Sequence, residues 1–102
     1  MAKLIVLYKN STDPKAFDDY YTATHIPLAK KVPGLKAYEV SDGPVVNPAG
    51  ASPYHLVATL EFASMADLQK GLASAEGRAA ASDVAKFATG GVEMLVFDTK
   101  PA

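Results

Sequence analysis

The sequence predicts an α+β domain of order β-α-β-β-α-β, with a four-stranded antiparallel sheet, helices on one face and the second helical unit broken in two. Three observations carry this. Four β-branched or aromatic runs, at Lys3–Lys9, Leu35–Val40, Tyr54–Phe62 and Val92–Phe97, are bounded by turn-forming residues. Two stretches with apolar residues at helical spacing fall after the first and third of these runs. The chain has 102 residues, 49% hydrophobic and 21% charged, which suits one globular domain over residues 1–102.

The first strand, Lys3–Lys9, is apolar on both faces: Leu4, Val6 and Tyr8 on one, Ile5 and Leu7 on the other. A strand with one wet face would alternate with polar residues, so both faces of this one are expected to be covered. Asn10–Asp13 is turn chemistry, and Pro14 follows a good capping residue at the first helical position. Phe17, Tyr20, Tyr21, Thr24 and Leu28 then recur at helical spacing, and the helix is expected to falter at Thr24–Ile26 because Pro27 lacks a backbone donor. Val32-Pro33-Gly34 ends it. The second strand carries Lys36 and Glu39 and reads as an edge, and Ser41–Pro53, rich in Gly and Pro, reads as a long loop. In the third strand Leu56, Ala58, Leu60 and Phe62 share one face, with His55, Val57, Thr59 and Glu61 on the other. Ser64 opens a helix through about Ser74, and a second runs from about Glu76 to Ala88 before Gly90-Gly91. One unbroken helix from 64 to 89 would be about 39 Å long against about 27 Å for an eight-residue strand, so a break near Ala75–Gly77 is expected.

This order places the first and third strands in the centre of the sheet. Helices on one face cannot explain a central strand that is apolar on both. A second copy related by two-fold symmetry covers the other face at least cost, so a homodimer is expected.

Composition excludes several classes. A net charge of -1 without a basic cluster argues against nucleic acid as a partner. With no cysteine there is no disulfide framework, zinc finger, iron–sulfur site or thiol nucleophile. No apolar run approaches the roughly 20 residues needed to cross a bilayer, and no charged leader precedes the first strand, so a soluble, cytoplasmic protein with no membrane partner is expected.

The segment Phe17-Asp-Asp-Tyr20-Tyr21-Thr-Ala-Thr-His25-Ile-Pro27, followed by Val32-Pro33-Gly34-Leu35, resembles the EthD family. There an aromatic pair precedes His-x-Pro at the end of the first helix, and Pro-Gly-Leu leads into the second strand. Position 21 is Tyr where many relatives carry Trp. Gly77, the alanine run, Asp83 and Phe87 form a weaker echo. The resemblance extends over nearly the whole chain, with its specific part in Phe17–Leu35. It implies a ferredoxin-like fold paired sheet to sheet as a dimeric α/β barrel. The family takes its name from a protein associated with bacterial degradation of ethyl tert-butyl ether. The wider superfamily includes cofactor-independent oxygenases, polyketide cyclases, haem-degrading enzymes and muconolactone-type isomerases, so the resemblance does not select a reaction.

Within the specific segment His25 is the residue suited to proton transfer near neutral pH, and Tyr21, four residues earlier, shares its helical face. These two are the candidate catalytic residues. Phe17, Tyr20, Thr24, Tyr8, Tyr38 and His55 are candidate ligand-binding residues. The alternative for His25 is a helix cap favoured by the dipole, and for the aromatic stripe an ordinary core. Neither histidine has a neighbouring carboxylate pattern that marks a metal site, and dinucleotide fingerprints are absent. The expectation is therefore a small, largely apolar organic ligand, no metal and no tightly bound cofactor. A non-catalytic dimeric binding or accessory module is the alternative.

Overall fold

The computed structural model describes all of residues 1–102. In chain order the elements are β1 (Ala2–Lys9), α1 (Pro14–Tyr20), a π-helical turn (Tyr21–His25), α2 (Ile26–Ala29), β2 (Leu35–Val40), β3 (Val46–Asn47), β4 (Gly50–Ala51), β5 (Tyr54–Phe62), α3 (Met65–Ala73), α4 (Ala75–Val84) and β6 (Val92–Asp98). The main sheet has the order β2-β5-β1-β6 and is antiparallel throughout. This is a ferredoxin-like α+β fold, with the first and third long strands at the centre as expected.

Leu4, Val6 and Tyr8 pair with Leu60, Ala58 and Leu56, and with the helices these residues build the core. The molecule is 18 Å thick in its thinnest direction, the depth of one sheet and one helix layer. The far side of the sheet is uncovered. There Ile5 pairs with Thr59 and Leu95, and Lys3 with Glu61 and Phe97. Leu95 and Phe97 remain 56% and 40% exposed.

Helix α1 starts where its cap predicts: Asp13 Oδ1 accepts from the Ala16 N–H at 3.1 Å, with Pro14 behind it. The expected falter at Thr24–Ile26 takes the form of a widening rather than a break. Pro27 has no N–H, and the chain absorbs the missing donor in a π turn, in which the Ile26 N–H donates to the Tyr21 carbonyl five residues back. The helical path continues through α2 to Ala29.

Local expectations are refined or corrected at several points. The expected break in the second helical unit is present and centres on Ser74, one residue before Ala75–Gly77. The Ser74 hydroxyl donates to the Gly71 carbonyl at 2.5 Å and accepts from the Gly77 N–H at 3.0 Å, closing α3 and opening α4 with one side chain. Gly77 sits there because a Cβ would lie 2.2 Å from the Gly71 carbonyl oxygen. Helix α4 also ends at Val84, with tighter turns carrying the chain past Phe87. Within Ser41–Pro53, β3 and β4 pair as a short ribbon.

A further correction concerns His55. Tyr8 pairs with Leu56, but Lys9 pairs with Tyr54, leaving one extra residue on β5. This bulge interrupts the two-residue alternation and turns His55 to the helical side, away from the face of Val57. There its ring meets Phe17 edge-on at 4.8 Å and its Nε2 lies 2.7 Å from Asp18 Oδ1.

Candidate functional site

Two cavities flank the π turn. The inner one, of about 140 Å³, lies between sheet and helices and is lined by 16 residues, 14 of them hydrophobic. Leu4, Val6, Ala58 and Leu60 form its floor, and Gly77, Ala80 and Ala81 its roof. The void exists because α4 presents Gly and Ala over the sheet, where larger side chains would close it. The outer cleft is larger, about 660 Å³, and lies between the Ser41–Pro53 segment and the π turn, with Asp18 and His55 on its wall. Tyr21 lines both.

His25 lines the inner cavity and is buried, 5% exposed. It is not a helix cap: α2 continues to Ala29, and the imidazole bonds across to α4, with Nδ1 3.1 Å from Asp83 Oδ2. The Tyr20 hydroxyl donates to the other carboxylate oxygen at 2.6 Å. Burial pushes the Asp83 carboxyl up, but the hydrogen bonds from Tyr20 and His25, with Lys86 nearby, outweigh it and hold the group below its ordinary range. For His25 burial dominates and lowers its pKa, although Asp83 pulls the other way. The result is an anionic Asp83 beside a neutral imidazole. The carboxylate can only accept, so Nδ1 carries the ring proton and Nε2 is left with its lone pair. No group of the chain hydrogen-bonds Nε2.

Beside the imidazole stands a cluster of phenols. The Tyr21 and Tyr38 hydroxyls are 2.5 Å apart, and Tyr8 packs edge-on against Tyr21 with ring centroids 5.6 Å apart. Tyr8, Tyr21 and Tyr38 all line the inner cavity. Burial raises the pKa of each, and mutual proximity raises those of Tyr8 and Tyr21 further, so all three are protonated at neutral pH.

The structure thus brings together His25, Tyr21, Tyr8 and Tyr38 of the eight sequence candidates. Phe17 is buried behind them, stacked on Tyr21 with its ring only 6° from parallel. Tyr20 supports the group from outside through Asp83. Thr24 is exposed and lines neither cavity, because the π turn rotates it outward. His55 belongs to the outer cleft. Asp83 and Phe87 complete the group without being candidates. Phe87 touches Tyr8, Phe17, Tyr20, Tyr21 and His25, its centroid 4.8 Å from that of the imidazole. The available signal was a lone acid on the apolar stripe Ala80, Asp83, Val84, Phe87, since an unpaired carboxylate is not left on a buried face. No three His, Asp or Glu side chains gather where a metal ion could be held. No helix is long and apolar enough to cross a membrane.

Comparison with known proteins agrees with this architecture. A Rhodococcus erythropolis protein, described as an uncharacterized 11.0 kDa protein in the thcB-thcC intergenic region, is 39% identical over 100 residues, covering 96% of this chain and 94% of its own. The crystal structure of an ethyl tert-butyl ether degradation (EthD) family protein from Bacillus halodurans C-125 superposes with a TM-score of 0.89 at 34% identity, over 98% of this chain and 99% of that one. A dimeric ferredoxin-like protein of unknown function from Thermobifida fusca shares the fold alone, with a TM-score of 0.70 at 16% identity over 96% and 90% of the two chains. Residues 9–91 match the EthD domain, and the chain belongs to the EthD family.

Proposed function

We propose that this protein is a homodimer whose inner cavity binds a small, largely apolar organic molecule and that His25, held by Asp83, acts on it as a general acid and base without a tightly bound cofactor. The observation that carries this is the unbonded Nε2 of a neutral, buried histidine on the wall of an otherwise apolar cavity. A base in that setting gains from exclusion of water, and a carboxylate behind it stabilises the proton it takes up. Tyr21 orients the ligand from the same wall.

The dimer is supported by the uncovered sheet face, where Ile5, Leu7, Leu95 and Phe97 form one apolar stretch across β1 and β6. The Thermobifida fusca protein of the same fold is dimeric. Lys3 lies beside Glu61 on this face, so a two-fold axis can bring unlike charges together around the apolar centre. Sedimentation should show a dimer, and a stable monomer at micromolar concentration would overturn that part.

The ligand is tested by a thermal-shift screen of small organic compounds against the parent, His25→Ala and Ala80→Leu. Compounds that stabilise the parent should lose their effect in Ala80→Leu, whose side chain fills the cavity. Turnover of any such compound should vanish in His25→Ala while the dimer persists, with His25→Gln as a second variant if the first fails to fold. Unchanged turnover in the histidine variants rules out the acid–base role. A non-catalytic module is favoured by one feature, the larger outer cleft. However, Ser41, Ser52 and Asn10 there bond to the backbone of the loop and its neighbours, so they hold the segment in place rather than face a ligand.

A further inference from the structure

We propose that the inner site moves a proton next to a carbonyl group on a single six-membered ring, with His25 Nε2 as the base and the Tyr21–Tyr38 pair as the donor to the oxygen that becomes negative. This rests on the reading of the inner cavity given above and assigns it a substrate class and a reaction.

The size of the ligand follows from the volume. A dry apolar cavity of about 150 Å³ holds one benzene-sized ring, and the inner cavity measures about 140 Å³. The volume fits one such ring and little more, which suits a rearrangement within one molecule. The polar groups on the wall are of two kinds. His25 Nε2 has a lone pair and no donor in the chain to receive. The hydroxyl pair is the complement. Two hydroxyls joined by one hydrogen bond use one of their two protons, which leaves one O–H to give away. The Tyr8 hydroxyl bonds to Tyr21 and extends the chain, but three hydroxyls joined by two hydrogen bonds use two of their three protons, so one O–H still remains to give away. The site therefore offers one proton acceptor and one hydrogen-bond donor to the same small molecule, from neighbouring rings whose centroids are 5.2 Å apart.

A ring ketone with a neighbouring double bond uses both. Nε2 takes a proton from the carbon α to the carbonyl. The electron pair of that C–H bond becomes a C=C bond, and the carbonyl π pair moves to oxygen, where the free phenol O–H stabilises the enolate. The imidazolium, held by Asp83, then returns the same proton to the γ carbon, and the double bond moves into conjugation. Atoms and electrons balance without an oxidant or co-reactant. Phenols that stay protonated, as burial ensures here, are suited to donate to an oxyanion in a low-dielectric site. Asp83 is a positioning residue in this scheme: it fixes the tautomer and stabilises the imidazolium.

The experiment uses the intact protein with three probes. Cyclohexanone tests binding by thermal shift and ligand NMR. Cyclohex-3-en-1-one tests turnover, since the conjugated enone that forms gains a strong ultraviolet band that the unconjugated ketone lacks. Bound 4-nitrophenol reports the donor, because its visible absorption reads the ionised fraction. The parent should bind cyclohexanone, isomerise the enone faster than buffer and shift 4-nitrophenol towards phenolate. Tyr38→Phe should lower the isomerisation rate by about 10²-fold, as for loss of one oxyanion donor, and reverse the nitrophenol shift. His25→Gln should abolish isomerisation yet keep cyclohexanone binding. Asp83→Asn should reduce the rate and change its pH profile. His55→Ala, in the outer cleft, should match the parent. If cyclohexanone binds but the enone isomerises no faster than with His25→Gln, the carbonyl chemistry is overturned and the cavity reading stands. If none of the three probes binds, both fall.

Discussion

Two histidine–aspartate pairs flank the π turn, and their differences run opposite to their distances. His55 and Asp18 are 2.7 Å apart, with side chains 21% and 57% exposed. His25 and Asp83 are 3.1 Å apart, with side chains 6% and 4% exposed. Water competes for both partners of the first pair, so the shorter contact contributes little, on the order of 0–1 kcal/mol. The second pair has no water to fall back on, and its aspartate also receives Tyr20. What separates them is what each partner would face if the other were removed.

The largest effect should therefore come from Asp83→Ala. It leaves the His25 Nδ1–H and the Tyr20 hydroxyl without an acceptor, at a cost of about 3 kcal/mol. Urea unfolding at pH 7.5 measures this directly. Asp83→Asn, which retains an amide oxygen, should recover part of it. If Asp83→Ala costs no more than Asp18→Ala, burial does not distinguish the two pairs and the inner site loses its structural basis.

Ala80→Leu ranks next and separates stability from binding. The added methyls enter a void that already exists, so stability should stay within about 1.5 kcal/mol of the parent. Ligands of the inner cavity should lose at least tenfold in affinity, read by thermal shift or NMR, because the space they need is gone. Binding that survives would place the ligand in the outer cleft and reverse the ranking of the two regions.

The fold was legible in the sequence because strands announce themselves locally. The apolar run of β1, the paired faces of β5 and the cap at Asp13 are each written in a few adjacent residues. The uncovered face was legible too, since Ile5 and Leu7 have no reason to be apolar on a wet surface. The site was only half legible. His25 and Tyr21 lie four apart on one helix and could be associated by spacing. Asp83 is 58 residues from His25 in the chain, and only the packing of α4 on the π turn joins them. His55 was misplaced for a different reason. Strict alternation assumes an unbroken register, and a one-residue bulge leaves no mark in composition. The π turn was half visible: Pro27 signalled a disturbance at the right place, but a missing donor can be absorbed by breaking or by widening.

A third effect, smaller than these, is the pH dependence of stability. Burial lowers the folded-state pKa of His25 below the ordinary value of about 6.5. The stability this group contributes is then complete above about pH 6.5 and drains away as pH falls from there through the depressed folded value, because the unfolded chain takes up the proton first. Asp83, also depressed, should add a second loss that begins below about pH 3.9. Unfolding free energies between pH 8 and 5 should decline in the parent, with the decline reduced in His25→Gln. An unchanged slope in that variant would mean that folding leaves the His25 pKa where it is in the unfolded chain, and a steeper decline would mean that His25 is held charged in the folded protein, where it could not serve as the base.

The smallest effect belongs to the outer pair, and it distinguishes charge from packing. Asp18→Ala removes the carboxylate but leaves the His55 ring edge-on against Phe17 at 4.8 Å. His55→Ala removes both the hydrogen bond to Asp18 and that contact, and edge-to-face ring pairs are worth roughly 0.5–1.5 kcal/mol beyond buried area. Asp18→Ala should accordingly cost less than about 0.5 kcal/mol and His55→Ala about 1 kcal/mol more, measured by urea unfolding at low and high salt. Equal costs that shrink together with added salt would mean that charge holds the wall of the outer cleft. The bulge in β5 would then serve to deliver an imidazole to Asp18, whereas unequal costs assign it to seating a ring against Phe17.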